Sequence, residues 1–198
     1  WRNIMSLLPY ASLTHRRKAY RAGDVVLLYD ADSSNVTSVA IASGITSTYQ
    51  EYIFAFYNIN PASDTGLLFQ ASTDSGSNYN TEVTTTHWWS RLSEADSEGA
   101  IGVDQENDTD NGTGYVLLAQ GMGNGGDESL AGELHLYNPA QTTYVKHWQF
   151  KGTHNHSADY NYSWHTAGYF NTTSAIDAVS FKGQSGNLDG TIKMWGVL

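Results

Sequence analysis

The stretch QEYIFAFYNI, residues 50–59, constrains the fold more than any other part of the chain. Its aromatic and β-branched residues suit an extended backbone, and side chains along a strand alternate between two faces. Tyr52, Phe54, Phe56 and Asn58 then point one way, and Ile53, Ala55, Tyr57 and Ile59 the other. Both sets are largely apolar, so the segment is expected inside a layered β structure, covered on each side. Pro61 ends it.

The same period of two returns along the chain. VVLLY (25–29), VTSVAIA (36–42), GLLFQAST (66–73), TEVTTTHWW (81–89) and YVLLAQ (115–120) are short β-rich runs. GELHLY (132–137), TYVKHWQF (143–150) and YSWHTAGYF (162–170) continue the series, and two more runs lie within 176–198. The intervening segments, such as DADSSN at 30–35, are rich in Gly, Asn, Ser and Asp, the residues of turns. Roughly ten strands joined this way predict an all-β fold, an antiparallel β-sandwich of jelly-roll-like type. In the last two runs a hairpin is expected, with Phe181 opposite Ile192 and Val179 opposite Met194 facing the core. Ser180 and Lys193 would face outward, Trp195 would fall on the outer side, and Gly183–Gly190 would connect the strands.

Residues 1–23 differ in kind. They hold Arg2, Arg16, Arg17, Lys18 and Arg21 with no acid, a formal +5, and the other 175 residues carry −15. The spacing predicts one short helix over 4–22, with Pro9 in its first turn and Gly23 at its stop. The chain therefore divides into a basic N-terminal arm (1–23) and a β-sandwich domain (24–198). The acidic body argues against a nucleic-acid groove. In the arm, Arg16, Arg17, Lys18 and Arg21 are candidates for anchoring to an acidic partner surface, or for pairing with the body itself. No run of 18 apolar residues provides a spanning helix. The absence of cysteine excludes disulfides, thiol catalysis and zinc–thiolate sites.

Candidate chemistry is sparse. In DQENDTDNGTG (104–114), Asp104, Glu106, Asp108 and Asp110 alternate, an oxygen-rich pattern that can hold a structural calcium ion, although the spacing is not that of an EF-hand. A solvated acidic turn is the competing reading, and no other cofactor is expected. His154 and His156, with Asp159 and His165 nearby, could ligate zinc or iron if they lay on a strand. The crowd of small polar residues around them instead suggests loop histidines at the surface. GMGNGGDES (121–129) lacks the Lys-Ser/Thr of a phosphate loop and is expected to be a flexible connection. No GxSxG elbow occurs, so no nucleophilic triad can be built. Trp88 and Trp89 are adjacent, so on a strand one of them points away from the core. With Trp164 and Trp195 they are candidates for stacking on a glycan or for contact between subunits.

Three segments carry a resemblance: STYQEYIFAFYNINPASDTGLLFQASTDSGSNYN (47–80), GELHLYNPAQTTYVKHW (132–148) and TAGYFNTTSAIDAVSFKGQSGNLDGTIKMWG (166–196). They resemble a β-rich family of virion proteins from marine bacteriophages, over about residues 36–198. The resemblance implies a non-enzymatic structural protein located in the virion, of tail or fibre type or decorating the capsid surface. It also implies contact with other virion proteins, a homo-oligomer and display toward host surface glycans, and it brings no catalytic residues. The basic arm lies outside it. A lectin-like carbohydrate-binding module outside any virion is the alternative.

Overall fold

The computed structural model describes residues 24–198, and the expected arm helix with Arg16, Arg17, Lys18 and Arg21 lies outside them. Twelve strands form: β1 Val25–Val36, β2 Val39–Ile41, β3 Glu51–Pro61, β4 Thr65–Ser72, β5 Val83–Ser93 and β6 Gly99–Val103. They continue as β7 Val116–Met122, β8 Leu130–Tyr137, β9 Lys146–His156, β10 Tyr160–Phe170, β11 Ala178–Gly183 and β12 Leu188–Val197. The described residues are all-β, and every strand pairing is antiparallel.

One ladder runs β1-β12-β3-β8-β9-β10-β5-β6 and a second runs β7-β4-β11-β2. A single pair, Met122 with His156, joins them through β7 and β9. The far ends, β1 and β2, are consecutive in the chain, so the sheet nearly closes on itself.

Aromatic side chains fill the space between the ladders. Phe181 on β11 stacks on its cross-strand partner Phe69 at 5.2 Å and 16°. It also meets Phe54 at 5.4 Å and Phe56 at 5.1 Å on β3 of the other ladder. Phe69 reaches Trp148 at 5.2 Å and Phe170 at 5.6 Å. All of these rings are buried, and tilted or offset rings at such distances contribute beyond the area they bury.

Three expectations change. The closing segments are not a hairpin: β11 pairs with β2 and β4, whereas β12 pairs with β1 and β3. Val179, Phe181, Ile192 and Met194 are nevertheless all buried. The alternation therefore assigned their face correctly and their partners wrongly, because residues 184–187 cross between ladders. Ser180, expected at the surface, is buried on β11.

Ile59 does not share a face with Ile53. A bulge after Phe56 places Asn58 in the left-handed region (φ 51°) and turns Ile59 into the core. Gly190 lies against this bulge at φ 122°, where a Cβ would sit 2.6 Å from the Asn58 carbonyl oxygen.

DADSSN lies within β1 and is not a turn. Its outward carboxylates engage the neighbouring strand, Asp30 with Lys193 at 3.0 Å and Asp32 with the Thr191 hydroxyl at 2.5 Å.

Candidate functional site

The strand β5 divides its side chains by parity. Val83, Thr85, His87, Trp89 and Arg91 point inward, and Trp88, Ser90 and Leu92 outward. Pairing then sets rows across the inner face. Trp89 lies beside Trp164 and Gly152, Arg91 beside Tyr162 and His154, and Ser93 beside Tyr160 and His156. The result is an aromatic surface at one end of the sheet. Tyr162 stacks near Trp164 at 6.0 Å and 14°, near His154 at 5.6 Å and 2°, and near His156 at 5.1 Å and 29°. Trp89 closes on Tyr162 at 5.5 Å. Opposite Trp89 on β6 is Gly102, where a Cβ would meet the indole ring at 2.5 Å, so a residue without a side chain gives the ring its seat.

A cleft of about 360 Å³ opens on this surface. Trp89, Tyr162 and Trp164 form its aromatic side, and Asp104, Gln120 and His156 bring polar groups to it. Gly121 completes the wall at φ 75°, where any Cβ would lie 2.5 Å from the His156 ring. Only glycine accommodates both that conformation and that approach.

At the rim, the Arg91 guanidinium sits 4.8 Å from the centre of the Tyr160 ring. It donates to the Tyr162 hydroxyl at 2.9 Å and pairs with the Glu98 carboxylate, which also accepts from the Tyr160 hydroxyl at 3.1 Å. These bonds raise the pKa of Arg91, through the Tyr162 hydroxyl first and then Glu98. The Arg91 bond, followed by the Tyr160 bond, lowers that of Glu98. Both groups therefore stay charged, and the rim is a fixed cation–carboxylate–phenol unit.

The histidines are not surface loop residues. KGTHNHSADYNYSW forms the β9–β10 hairpin, with a turn at 157–159. His154 is buried, accepts from the Trp164 indole N–H at 3.0 Å, and donates from Nδ1 to the Asn155 carbonyl at 3.0 Å. Burial lowers its pKa to about 4, so the ring is neutral with both nitrogens engaged. Burial also lowers the pKa of half-exposed His156. His165 lies on the opposite face, stacked on Trp88 at 3.9 Å and 2°. The three histidines therefore offer no common ligand point.

The four acids of the 104–114 loop do not converge either. The segment runs beside the first half of β5, through Val83–Gly112 and Thr85–Thr109 backbone bonds, and this directs its carboxylates apart. Asp104 accepts from Asn107 at 2.8 and 3.0 Å, and Asp108 pairs with His87 at 2.6 Å. Asp110 accepts from Asn111 at 3.3 Å, and Glu106 is exposed. Among the described residues, no group of three or more His, Asp or Glu is placed to hold a metal ion. Asp104, Asp108 and Asp110, the candidates for a structural calcium ion together with the exposed Glu106, are thus each engaged by a separate local partner.

The tryptophans also separate. Trp89 lines the cleft, and Trp164 forms its floor at 2% exposure, as a core residue and not a surface one. Trp88 is 44% exposed on the outer face. Trp195 is half-buried on β12, between Leu27 and Ile53. Sequence reasoning missed Arg91, Tyr160 and Tyr162, whose signal was their i, i+2 spacing in register with Trp89 and Trp164. It also missed His87, the inward residue between Thr85 and Trp89.

No helix among the described residues is long and apolar enough to cross a membrane. No family model matches the chain, and no curated protein matches it. Among solved structures, it is similar to a structural-genomics protein of unknown function from Bacteroides ovatus, at 9% identity and a TM-score of 0.29. The match covers 56% of this chain and 45% of the other, so the shared part is under half of that protein.

Proposed function

We propose that the protein is a non-enzymatic structural protein displayed on the tail or capsid surface of a bacteriophage particle, and that its Trp89 cleft contributes to host attachment by holding a glycan. The observation that carries the glycan reading is the cleft: two tryptophans and a tyrosine beside Asp104, Gln120 and His156. Aromatic rings receive the apolar faces of sugars, and a few fixed polar groups select their hydroxyls. The virion reading is supported by the resemblance of residues 36–198. The non-enzymatic reading rests on the structural engagement of the buried histidines, His87 with Asp108 and His154 with Trp164.

The jelly-roll-like sandwich belongs to this proposal, supported by two ladders packed face to face around Phe69 and Phe181. So does assembly as a homo-oligomer against other virion proteins. Its support is an apolar patch in which Leu92, Val103 and Ile101, the last 80% exposed, surround Trp88 on the outer face of β5 and β6. Edge strands with exposed apolar residues favour pairing with another chain.

The alternative is a lectin-like module outside any virion, which the cleft supports equally. Mass spectrometry of purified particles produced from the genome that encodes this chain separates the two. Detection at a fixed ratio to the major capsid protein is expected, and absence from the particles overturns the virion reading in favour of the lectin.

A further inference from the structure

The outer face of the same sheet carries two adjoining hollows of about 560 and about 370 Å³, which share Tyr137 and His147 as a common wall. They lie on the side of the sheet opposite the Trp89 cleft. The rows of this face are set by register: His147 pairs with Tyr169, Tyr169 with Thr84, Gln149 with Ala167 and Ala167 with Thr86. The small side chain of Ala167 keeps the floor low between the taller tyrosines, while Gly168 faces inward against the buried Trp148.

We propose that these hollows form one groove that binds an uncharged oligosaccharide across β8, β9, β10 and β5. Neighbouring strands lie about 4.8 Å apart, so four of them span roughly 14 Å, which suits a short sugar chain better than a single ring.

Three observations carry the assignment. The first is chemistry. Tyr137, Tyr144, Tyr169 and His147 supply rings, and Gln149 and Thr86 supply hydroxyl-matching polar groups. Among the described residues, no Asp, Glu, Lys or Arg lines either hollow, although the chain carries 20 acids and 10 basic residues. A charge-free groove on a protein of net charge −10 gives no purchase to phosphate, sulfate or amine groups, and it leaves ring faces and hydroxyls as what can be recognised.

The second is preorganisation of the rim. Tyr144 is 73% exposed, yet its backbone is locked. The Gln141 side chain accepts from the amides of Thr143 and Tyr144 at 2.6 and 2.8 Å and donates to the Tyr144 carbonyl at 2.6 Å. The buried Lys146 ammonium donates to that same carbonyl at 2.7 Å and to the Thr172 carbonyl at 3.2 Å. A large ring held outward on a fixed backbone costs little ordering entropy when a ligand stacks on it.

The third is orientation of the central wall. Gln149 donates to the Tyr137 hydroxyl at 2.6 Å, which fixes the phenol and leaves its own proton to donate. Tyr169 is braced by His147 at 5.9 Å.

The full chain is screened on an array of uncharged oligosaccharides, and the strongest binder is titrated by calorimetry. Tyr144→Ala and Tyr169→Ala are each expected to weaken binding about ten-fold or more, and Tyr144→Phe to retain it. The saccharide titrated is the strongest binder that the Trp89→Ala chain retains, which separates this groove from the cleft on the other face. Raising salt from about 0.05 to about 0.5 M should change the affinity less than about two-fold, because no ion pair is formed. Tyr144 is exposed and its truncation removes no core packing, so that variant decides the matter even if Tyr169→Ala fails to fold. An array on which only charged glycans bind, a blank array, or full affinity in Tyr144→Ala overturns the proposal.

Discussion

The indole N–H of Trp164 donates to Nε2 of His154 across 3.0 Å, between neighbouring strands at the floor of the aromatic cleft. An acceptor nitrogen carries no proton, so the His154 proton resides on Nδ1, where the Asn155 carbonyl receives it. The pair is thus built for a neutral ring.

Acid should therefore loosen this end of the fold. Burial lowers the His154 pKa from 6.5 to about 4, so between those values the unfolded chain binds the proton and the folded chain does not. The stability it contributes is complete above pH 6.5 and is lost as pH falls toward 4, by about 3 kcal/mol at most. Urea unfolding at pH 7 and at pH 4.5 should show the decline. His154→Gln should unfold with a shallower pH dependence across that interval, and an unchanged dependence would refute the assignment.

His87 ties three segments together. Its Nε2–H donates to the Leu117 carbonyl at 2.6 Å, and Nδ1 meets the Asp108 carboxylate at 2.6 Å. His87 is fully buried and Asp108 part-exposed, so breaking this hydrogen-bonded pair should cost about 1–3 kcal/mol. His87→Ala should lower the urea midpoint accordingly. Asp108→Asn, which can still accept a hydrogen bond, should cost less.

At the β3 bulge, Asn58→Gly should be neutral within about 1 kcal/mol, since φ 51° suits glycine. Gly190→Ala should be far worse, because its Cβ would meet backbone atoms at 2.6–2.9 Å that cannot move aside. Thermal unfolding of the two variants gives the comparison. Equal melting temperatures would contradict the bulge geometry.

The strands were legible in the sequence because burial imposes a period of two, and Phe54, Phe56, Phe181, Ile192 and Met194 all lie on the side their alternation assigns. Their partners were not legible. Alternation specifies a face and says nothing of which strand lies beside it, so β11 and β12 read as a hairpin although they belong to different ladders. Strand β6 escaped notice because Gly-Ala-Ile-Gly-Val is short, glycine-bearing and exposed. Asp30 and Asp32 imitated a turn because polar residues on the solvent side of an edge strand have the same composition. In the cleft, Trp89 and Trp164 were visible as residue types. The site itself arises from cross-strand register, which brings residues 89, 91, 154, 156, 160, 162 and 164 together from three strands.

The glycan assignment of the Trp89 cleft is tested most directly by nuclear magnetic resonance of the ¹⁵N-labelled chain, following the six tryptophan indole N–H signals during titration with a panel of cell-surface saccharides. Occupation of the cleft should move the Trp89 signal in a saturable way and leave the Trp148 signal, buried in the core, in place. Trp89→Ala should abolish the saturable shift of the Trp164 signal while the fold persists. A panel in which no saccharide moves Trp89, or in which Trp164 moves equally in Trp89→Ala, would contradict the account.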